Sequence, residues 1–199
     1  QIYEEIIRKN NLEEFKNKLL SIPESDFPGD EAHMEMTPYK KNLVIEKKEP
    51  RLSSVVVLAY EKQEKVHFLL LKRADYQGVH GAQVSFPGGK KDDTDVDLLN
   101  TAIRELNEET GISIQSHHII RQLSTMFIPP SNFLVHPFIA VLSELPVIVL
   151  DERESQYFFG ISMDELLDDA KLQTTEIKTS YGSLKNVPYF NLENEIIWG

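Results

Sequence analysis

Residues 84–112 read VSFPGGKKDDTDVDLLNTAIRELNEETGI. Gly88 and Gly89 mark a turn, and a helix opens shortly after it. Within that helix Glu105, Glu108 and Glu109 stand at i, i+3 and i+4, so the three carboxylates share a face about 100° wide. Leu99, Ala102, Ile103 and Leu106 fall on a separate stripe, the side expected to pack on a core. Arg104 stands beside the carboxylates and can brace them by a forked ion pair. Gly111 ends the helix where a left-handed residue is wanted.

Carboxylates at this spacing repel one another, and a helix selected for stability alone would place Lys or Arg among them. A hard divalent cation, Mg²⁺ or Mn²⁺, resolves the conflict and also attracts phosphate oxygens. The alternative is a plain solvated acidic face. The glycine turn before the helix and the apolar stripe opposite weigh towards the cation.

The spacing G-x5-E-x7-R-E-U-x-E-E-x-G-U, with U aliphatic, is the Nudix hydrolase box, and Gly89 to Ile112 resembles it. Arg104, Glu105, Leu106, Glu108, Glu109, Gly111 and Ile112 match its second half at every position. The first half departs: the interval from Gly89 to Arg104 is one residue longer, and the first Glu is missing. Counting forward from Gly89 puts Asp95 in that slot, and counting back from Arg104 puts Val96 there. Asp95 or Asp97 is at hand to substitute. The resemblance implies an α/β fold, the α/β/α Nudix sandwich with a mixed sheet between helices. It also implies metal ligation by Glu105, Glu108, Glu109 and the carbonyl of Gly89.

A chain of 199 residues with 41% hydrophobic content can bury one sizeable core. A net charge of −11 argues against a nucleic-acid-binding surface. The chain has no cysteine, which excludes a disulfide framework and a thiol nucleophile. No apolar run reaches the length of a membrane span, and the expectation is a cytoplasmic protein without membrane association. Residues 3–20 carry Ile6, Ile7, Leu12, Phe15, Leu19 and Leu20 on a helical period. Residues 1–50 are therefore expected to form a helix and connector, irregular after Pro23 and Pro28, packing on a domain of residues 51–199 or on a second subunit in a homodimer.

Arg51–Tyr60 and Val66–Lys72 read as strands, the first central and buried on both faces. Further strands are expected at Val84–Phe86, His118–Phe127, Leu134–Leu142 and Val147–Leu150. Residues 128–133, between two of them, either line a pocket or simply close a hairpin. Ser162–Ala170 has helix logic, with Ser162 as N-cap and Glu165 as its capping-box partner. Glu176–Thr179 and Leu184–Tyr189 read as a closing hairpin around Tyr181 and Gly182.

Leu69 to Gly89, LLLKRADYQGVHGAQVSFPGG, resembles the signature L-L-T-K-R-[SA]-x3-R-x3-G-x3-F-P-G-G of the coenzyme A pyrophosphatase branch. Leu69, Leu70, Lys72, Arg73, Ala74, Phe86, Pro87, Gly88 and Gly89 agree. Leu71, Gly78 and Ala82 replace Thr, Arg and Gly. The longer box interval and Thr101-Ala102-Ile103 also match the branch. So does the closing Ile-Trp-Gly, after which the branch normally has a further helix. The resemblance implies substrate contacts from Lys72, Arg73, His80 and Phe86, with Lys72, Arg73 or His80 compensating for the lost guanidinium at position 78.

By that resemblance, water attacks a pyrophosphate phosphorus of coenzyme A or acyl-coenzyme A, with metal ions lowering the water's pKa. Positioning and electrostatics supply most of the acceleration. Glu105, Glu108 and Arg104 belong to this machinery, and the general base is a box glutamate or a loop acid such as Glu154. A hydrolase of another nucleoside diphosphate, such as ADP-ribose, is the competing enzyme reading. A Nudix-fold nucleotide-binding module without turnover is the non-enzymatic one, against which the intact glutamate set counts.

Overall fold

The computed structural model describes residues 12–37, 49–74, 83–179 and 182–198. In chain order the helices are α1 (Leu12–Ser21), α2 (Asp30–Met36), α3 (Leu98–Thr110) and α4 (Met163–Leu166). The strands begin with β1 (Arg51–Lys62), β2 (Lys65–Arg73), β3 (Val84–Ser85), β4 (Gly88–Lys90), β5 (Ile119–Gln122) and β6 (Met126–Ile128). They continue with β7 (Phe133–Leu142), β8 (Ser155–Ser162), β9 (Leu172–Thr179), β10 (Gly182–Leu192) and β11 (Glu195–Ile197).

The sheet is organised by a fork. β1 and β2 pair antiparallel from Ala59↔Phe68 to Lys62↔Lys65 and then diverge. The chain of Val84–Lys90 fills the gap: β3 pairs with β2 (Leu71↔Ser85), and β4 pairs with β1 (Ser54↔Gly89). The two glycines are thereby delivered to the middle of the sheet. β7 runs parallel along the other edge of β1, from Arg51↔Phe133 to Tyr60↔Leu142, and carries β5 and β6 antiparallel on its far side. β8 covers the outer edge of β2. A mixed sheet flanked by helices is the architecture the sequence implied. β9, β10 and β11 form a second, antiparallel sheet.

α3 lies across one face. Its stripe is as expected: Ala102 and Leu106 are fully buried against Val56, Leu58, Leu69, Phe138 and Ala140, with Leu99 and Ile103 packed at the margin. Burying a leucine such as Leu106 stabilises by about 2 kcal/mol. The helix starts because the Asp97 side chain accepts from Asn100 N at 2.7 Å. It stops at Gly111, whose φ of 72° lets its N–H donate to Asn107 O. The other face holds Ala59, Val66, Phe68, Leu70 and Ile161, joined by Leu12 from α1 and Leu192 from β10.

The expected hairpin of β9 and β10 forms, with Tyr181 outside the described residues. Ser162 and Glu165 make the reciprocal capping box, although the helix ends at Leu166 and a separate turn follows at Asp169–Lys171. Residues 128–133 are a hairpin connection, since Met126↔Val135 and Ile128↔Phe133 are paired across them. Asp30–Met36, read as part of an irregular connector, is a short helix. The strand expected at Val147–Leu150 does not form. Its backbone is drawn to the open end of α3, where Val149 N–H donates to Thr110 O at 2.9 Å and Asp151 N–H to Glu109 O at 3.3 Å. Strand β8 was not anticipated. The amphipathic N-terminal period is helical from Leu12; residues 3–11 of that expectation lie outside the described residues. No helix among the described residues is long and apolar enough to cross a membrane.

Candidate active site

Glu105, Glu108 and Glu109 come from one helix but meet three different environments. Glu109 points into the fork. Its side chain is 2% exposed, Oε2 accepts from Gly88 N–H at 2.8 Å, and Oε1 lies 3.7 Å from Arg73 Nη1. Burial pushes its carboxyl up to about 7, with the charges of Glu105 and Glu154 adding and the Gly88 N–H and Arg73 opposing. Glu105 is largely buried above Gly89. A Cβ at Gly89 would stand 2.5 Å from its carboxyl carbon, so glycine's bareness is what admits the carboxylate. Burial also raises Glu105, and the charges of Glu108 and Glu154 add to the rise against Arg104. Glu108 is exposed at the rim.

Arg104 is the hub. Nη1 donates to Glu105 Oε1 at 2.9 Å and Glu108 Oε2 at 3.0 Å. Nε and Nη2 donate to the two oxygens of Asp95 at 2.9 and 2.8 Å, and Nη2 also reaches Lys90 O at 3.1 Å. Asp95 accepts further bonds from Asp92 N and Thr101 Oγ1, each at 2.9 Å. The Arg104 guanidinium, ahead of these other donors, holds its carboxyl well below the usual carboxylate range. The structure thus chooses between the two aspartates: Asp95 braces Arg104, and Asp97 caps the helix.

Glu154 is brought to the same place from the other side of the fork. Its carbonyl accepts from Ala74 N at 2.8 Å, and its charge reaches both Glu105 and Glu109. The cluster therefore sets Glu105, Glu108, Glu109, Glu154 and Asp95 against the two guanidiniums of Arg73 and Arg104. Its donors are hard oxygens under mutual repulsion, which fits a hard divalent cation in type and charge. Among the described residues no three such side chains already form a cage of metal size. Arg104 bridges Glu105 and Glu108, while Glu109 is turned to Gly88.

Two expected contacts fall elsewhere. Lys72 neighbours Arg73 but alternates to the opposite face of β2, where Nζ pairs with Glu195 Oε2 at 2.7 Å. Tyr157 donates to the other oxygen of Glu195. Phe86 packs on the core of that same opposite face. Both are separated from the carboxylates by the sheet itself. His80 and Gly78 lie outside the described residues.

Sequence reasoning missed Ser155. It pairs with Arg73 across β2 and β8 and is buried, with an Oγ that has no hydrogen-bond partner among the described residues. The aromatic run Tyr157-Phe158-Phe159 was the available signal for the strand that carries it.

The description NUDIX domain matches residues 50–179 of this chain. A Yersinia enterocolitica protein called uncharacterized Nudix hydrolase NudL is 32% identical over 132 residues, which are 66% of either chain. Its namesake in Yersinia pestis is 33% identical over 132 residues, 66% of this chain and 65% of that one. The chain thus matches just under two thirds of the length of these curated relatives. Among solved structures, the NUDIX domain of Shewanella oneidensis NrtR, complexed with ADP ribose, superposes with a TM-score of 0.51 at 20% identity, over 60% of this chain and 77% of that one. A MutT/nudix family protein from Enterococcus faecalis gives 0.51 at 17% identity, over 76% and 56%. At such identities the likeness is one of fold.

Proposed function

Because this chain belongs to the Nudix family, we propose that it is a metal-dependent hydrolase of diphosphate esters, acting on coenzyme A or its acyl derivatives. Buried, mutually repelling Glu105 and Glu109, seated over a bare Gly89 and a Gly88 N–H, are the observation that carries the hydrolase reading. A structural helix has no use for them in that state. Support for the substrate comes from the run Leu69 to Gly89 and from the lengthened box, whose extra residue is absorbed while Asp95 keeps its grip on Arg104.

A divalent cation held by Glu105, Glu108, Glu109 and the Gly89 carbonyl would supply Lewis-acid neutralisation of the diphosphate oxygens. Arg104 fixes the orientation of Glu105 and Glu108. Arg73, beside Glu109, offers donors to the substrate's oxygens. His80 remains a proposed contact. Water attacks one phosphorus, the bridging P–O bond breaks, and the water's proton passes to a carboxylate of the cluster, with Glu154 the candidate outside the helix. Coenzyme A would yield 3′,5′-ADP and 4′-phosphopantetheine.

Chromatography of products from a substrate panel, with Mg²⁺ or Mn²⁺ and with chelator, tests the assignment. Coenzyme A is expected to be cleaved only when metal is present, and Glu108→Gln to abolish turnover without loss of fold. Intact coenzyme A beside efficient cleavage of ADP-ribose would transfer the assignment to another nucleoside diphosphate. Binding without cleavage of any member would leave a nucleotide-binding module.

A further inference from the structure

A second feature adjoins strand β8, with walls from both sides of the sheet: Tyr60 packs on the α3 side and Phe159 on the other. A cleft of about 550 Å³ opens there, its lining including Tyr60, Glu61, Lys62, Leu145, Phe158 and Glu193 beside Gly160. Gly160 is an essential gap in its wall. A Cβ at that position would stand 1.9 Å from the Tyr60 hydroxyl, so the hydroxyl end of the phenol abuts bare backbone. Phe158, two residues earlier, leaves 41% of its surface exposed.

The cleft is aligned with the carboxylate cluster. Register places Gly160 opposite Leu69, Phe158 opposite Leu71 and Ser155 opposite Arg73. From Arg73 to Leu69 is four residues, or about 13 Å at the rise of a strand. The opposite wall makes the same journey. Leu145 packs by the core near the cleft, and Val149 and Asp151 then bond to the last turn of α3, where Glu109 sits.

We propose that this cleft holds the uncharged, amide- and thiol-bearing arm of the substrate while its diphosphate lies at Arg73 and Glu109. The assignment rests on the hydrolase reading above. Charge selects this occupant over the nucleotide end. Glu61 and Glu193 outnumber Lys62 around the opening, so a phosphorylated ribose would be repelled, whereas a neutral chain meets the Phe158 ring, Leu145 and the Tyr60 hydroxyl. The length also fits, since an extended arm of amides and methylenes spans about 13 Å, the separation along β2 between Arg73 and the level of Gly160.

Phe158→Ala tests this without touching the carboxylates, and its exposed position leaves the fold intact, which a melting curve verifies. Titration of pantetheine, followed by NMR, is expected to show binding to the unaltered protein and at least a fivefold weaker interaction with the variant. In turnover, KM for coenzyme A is expected to rise about tenfold with kcat within twofold, while KM for ADP-ribose stays unchanged. Pantetheine binding to both proteins equally, or to neither, overturns the assignment. So does a KM rise shared by ADP-ribose, which would put a nucleoside in the cleft. If coenzyme A is not hydrolysed but pantetheine binding depends on Phe158, the cleft stands and the hydrolase reading falls.

Discussion

Arg104 grips Asp95 through both carboxylate oxygens, Nε to Oδ1 at 2.9 Å and Nη2 to Oδ2 at 2.8 Å, and with its remaining nitrogen ties down Glu105 and Glu108. One residue nine positions earlier in sequence thus sets the pose of two carboxylates it does not touch. Asp95 is only 5% exposed at its side chain, so the pair is shielded from solvent screening on one side. Asp95→Asn is expected to cost about 2–3 kcal/mol in chemical denaturation, because it leaves a charged donor fork half-paired. An unchanged denaturation midpoint would show that Arg104 is held by other means.

Glu109 gives the pH dependence of the metal-free protein. Its folded carboxyl titrates near 7 against an ordinary 4.5, so the unfolded chain releases this proton first as pH rises. Its contribution is full below about 4.5 and is lost as pH climbs to about 7, roughly 3 kcal/mol in all. Glu109→Gln keeps an acceptor for Gly88 N–H and removes the charge. With chelator present, the variant is expected to melt above the unaltered protein at pH 8 and level with it at pH 4.5. Added Mg²⁺ should narrow the gap at pH 8. Parallel pH profiles for the two proteins would refute the environment assigned to Glu109.

The adjacent glycines should fail differently. At Gly88 a Cβ would meet backbone, 2.3 Å from Ser54 O and 2.7 Å from Val55 Cα. At Gly89 the nearest atoms it would meet are those of the Glu105 carboxylate, the end of a side chain that can move. Gly88→Ala is expected to destabilise by about 3 kcal/mol, since strands must separate to admit it. Gly89→Ala should melt within a few degrees of the unaltered protein yet lose about a hundredfold in turnover, as Glu105 swings away. Equal melting curves for both variants would contradict the packing at the fork.

Arg121 fastens the N-terminal segment to β5. Its Nη1 donates to Leu19 O at 3.0 Å and to Ile22 O, and its guanidinium lies 4.4 Å from the ring centre of Phe27. Those carbonyls are at the end of α1, where helix carbonyls lack partners of their own. Arg121→Ala is expected to cost about 2 kcal/mol. Limited proteolysis should then cut first within residues 12–37. Cleavage starting elsewhere at the unaltered rate would deny Arg121 this role.

The helix that carries the carboxylates was legible because its instructions are local. Gly111 stops it, and a 3.6-residue period separates Ala102 and Leu106 from Glu105, Glu108 and Glu109, while the Asp97 cap that starts it was read only as a loop acid. The capping box at Ser162 and Glu165 and the hairpin of β9 and β10 were readable for the same reason. Val147–Leu150 was misread because its β-rich composition could not reveal that the N–H of Val149, with that of Asp151 just beyond, would be claimed by the end of α3.

Sequence by itself determined an amphipathic acidic helix and the strands β1 and β2, since each is specified by residues within a turn or two of one another. Gly88 and Gly89, read as a turn, lie instead in strand β4, because the diverging edge of β1 offers them backbone partners from far back in the chain. Which neighbours act together was decided only by tertiary structure. Lys72 and Arg73 are consecutive cations, yet one pairs with Glu195 behind the sheet and the other stands by Glu109 in front. Glu154 and Ser155 reach the cluster only because β8 pairs with β2 in one register, and Asp95 rather than Asp97 reaches Arg104 only once the loop has closed. The physical reason is that a strand alternates its sides every residue, while the identity of each side is fixed by whatever packs on it from elsewhere in the chain.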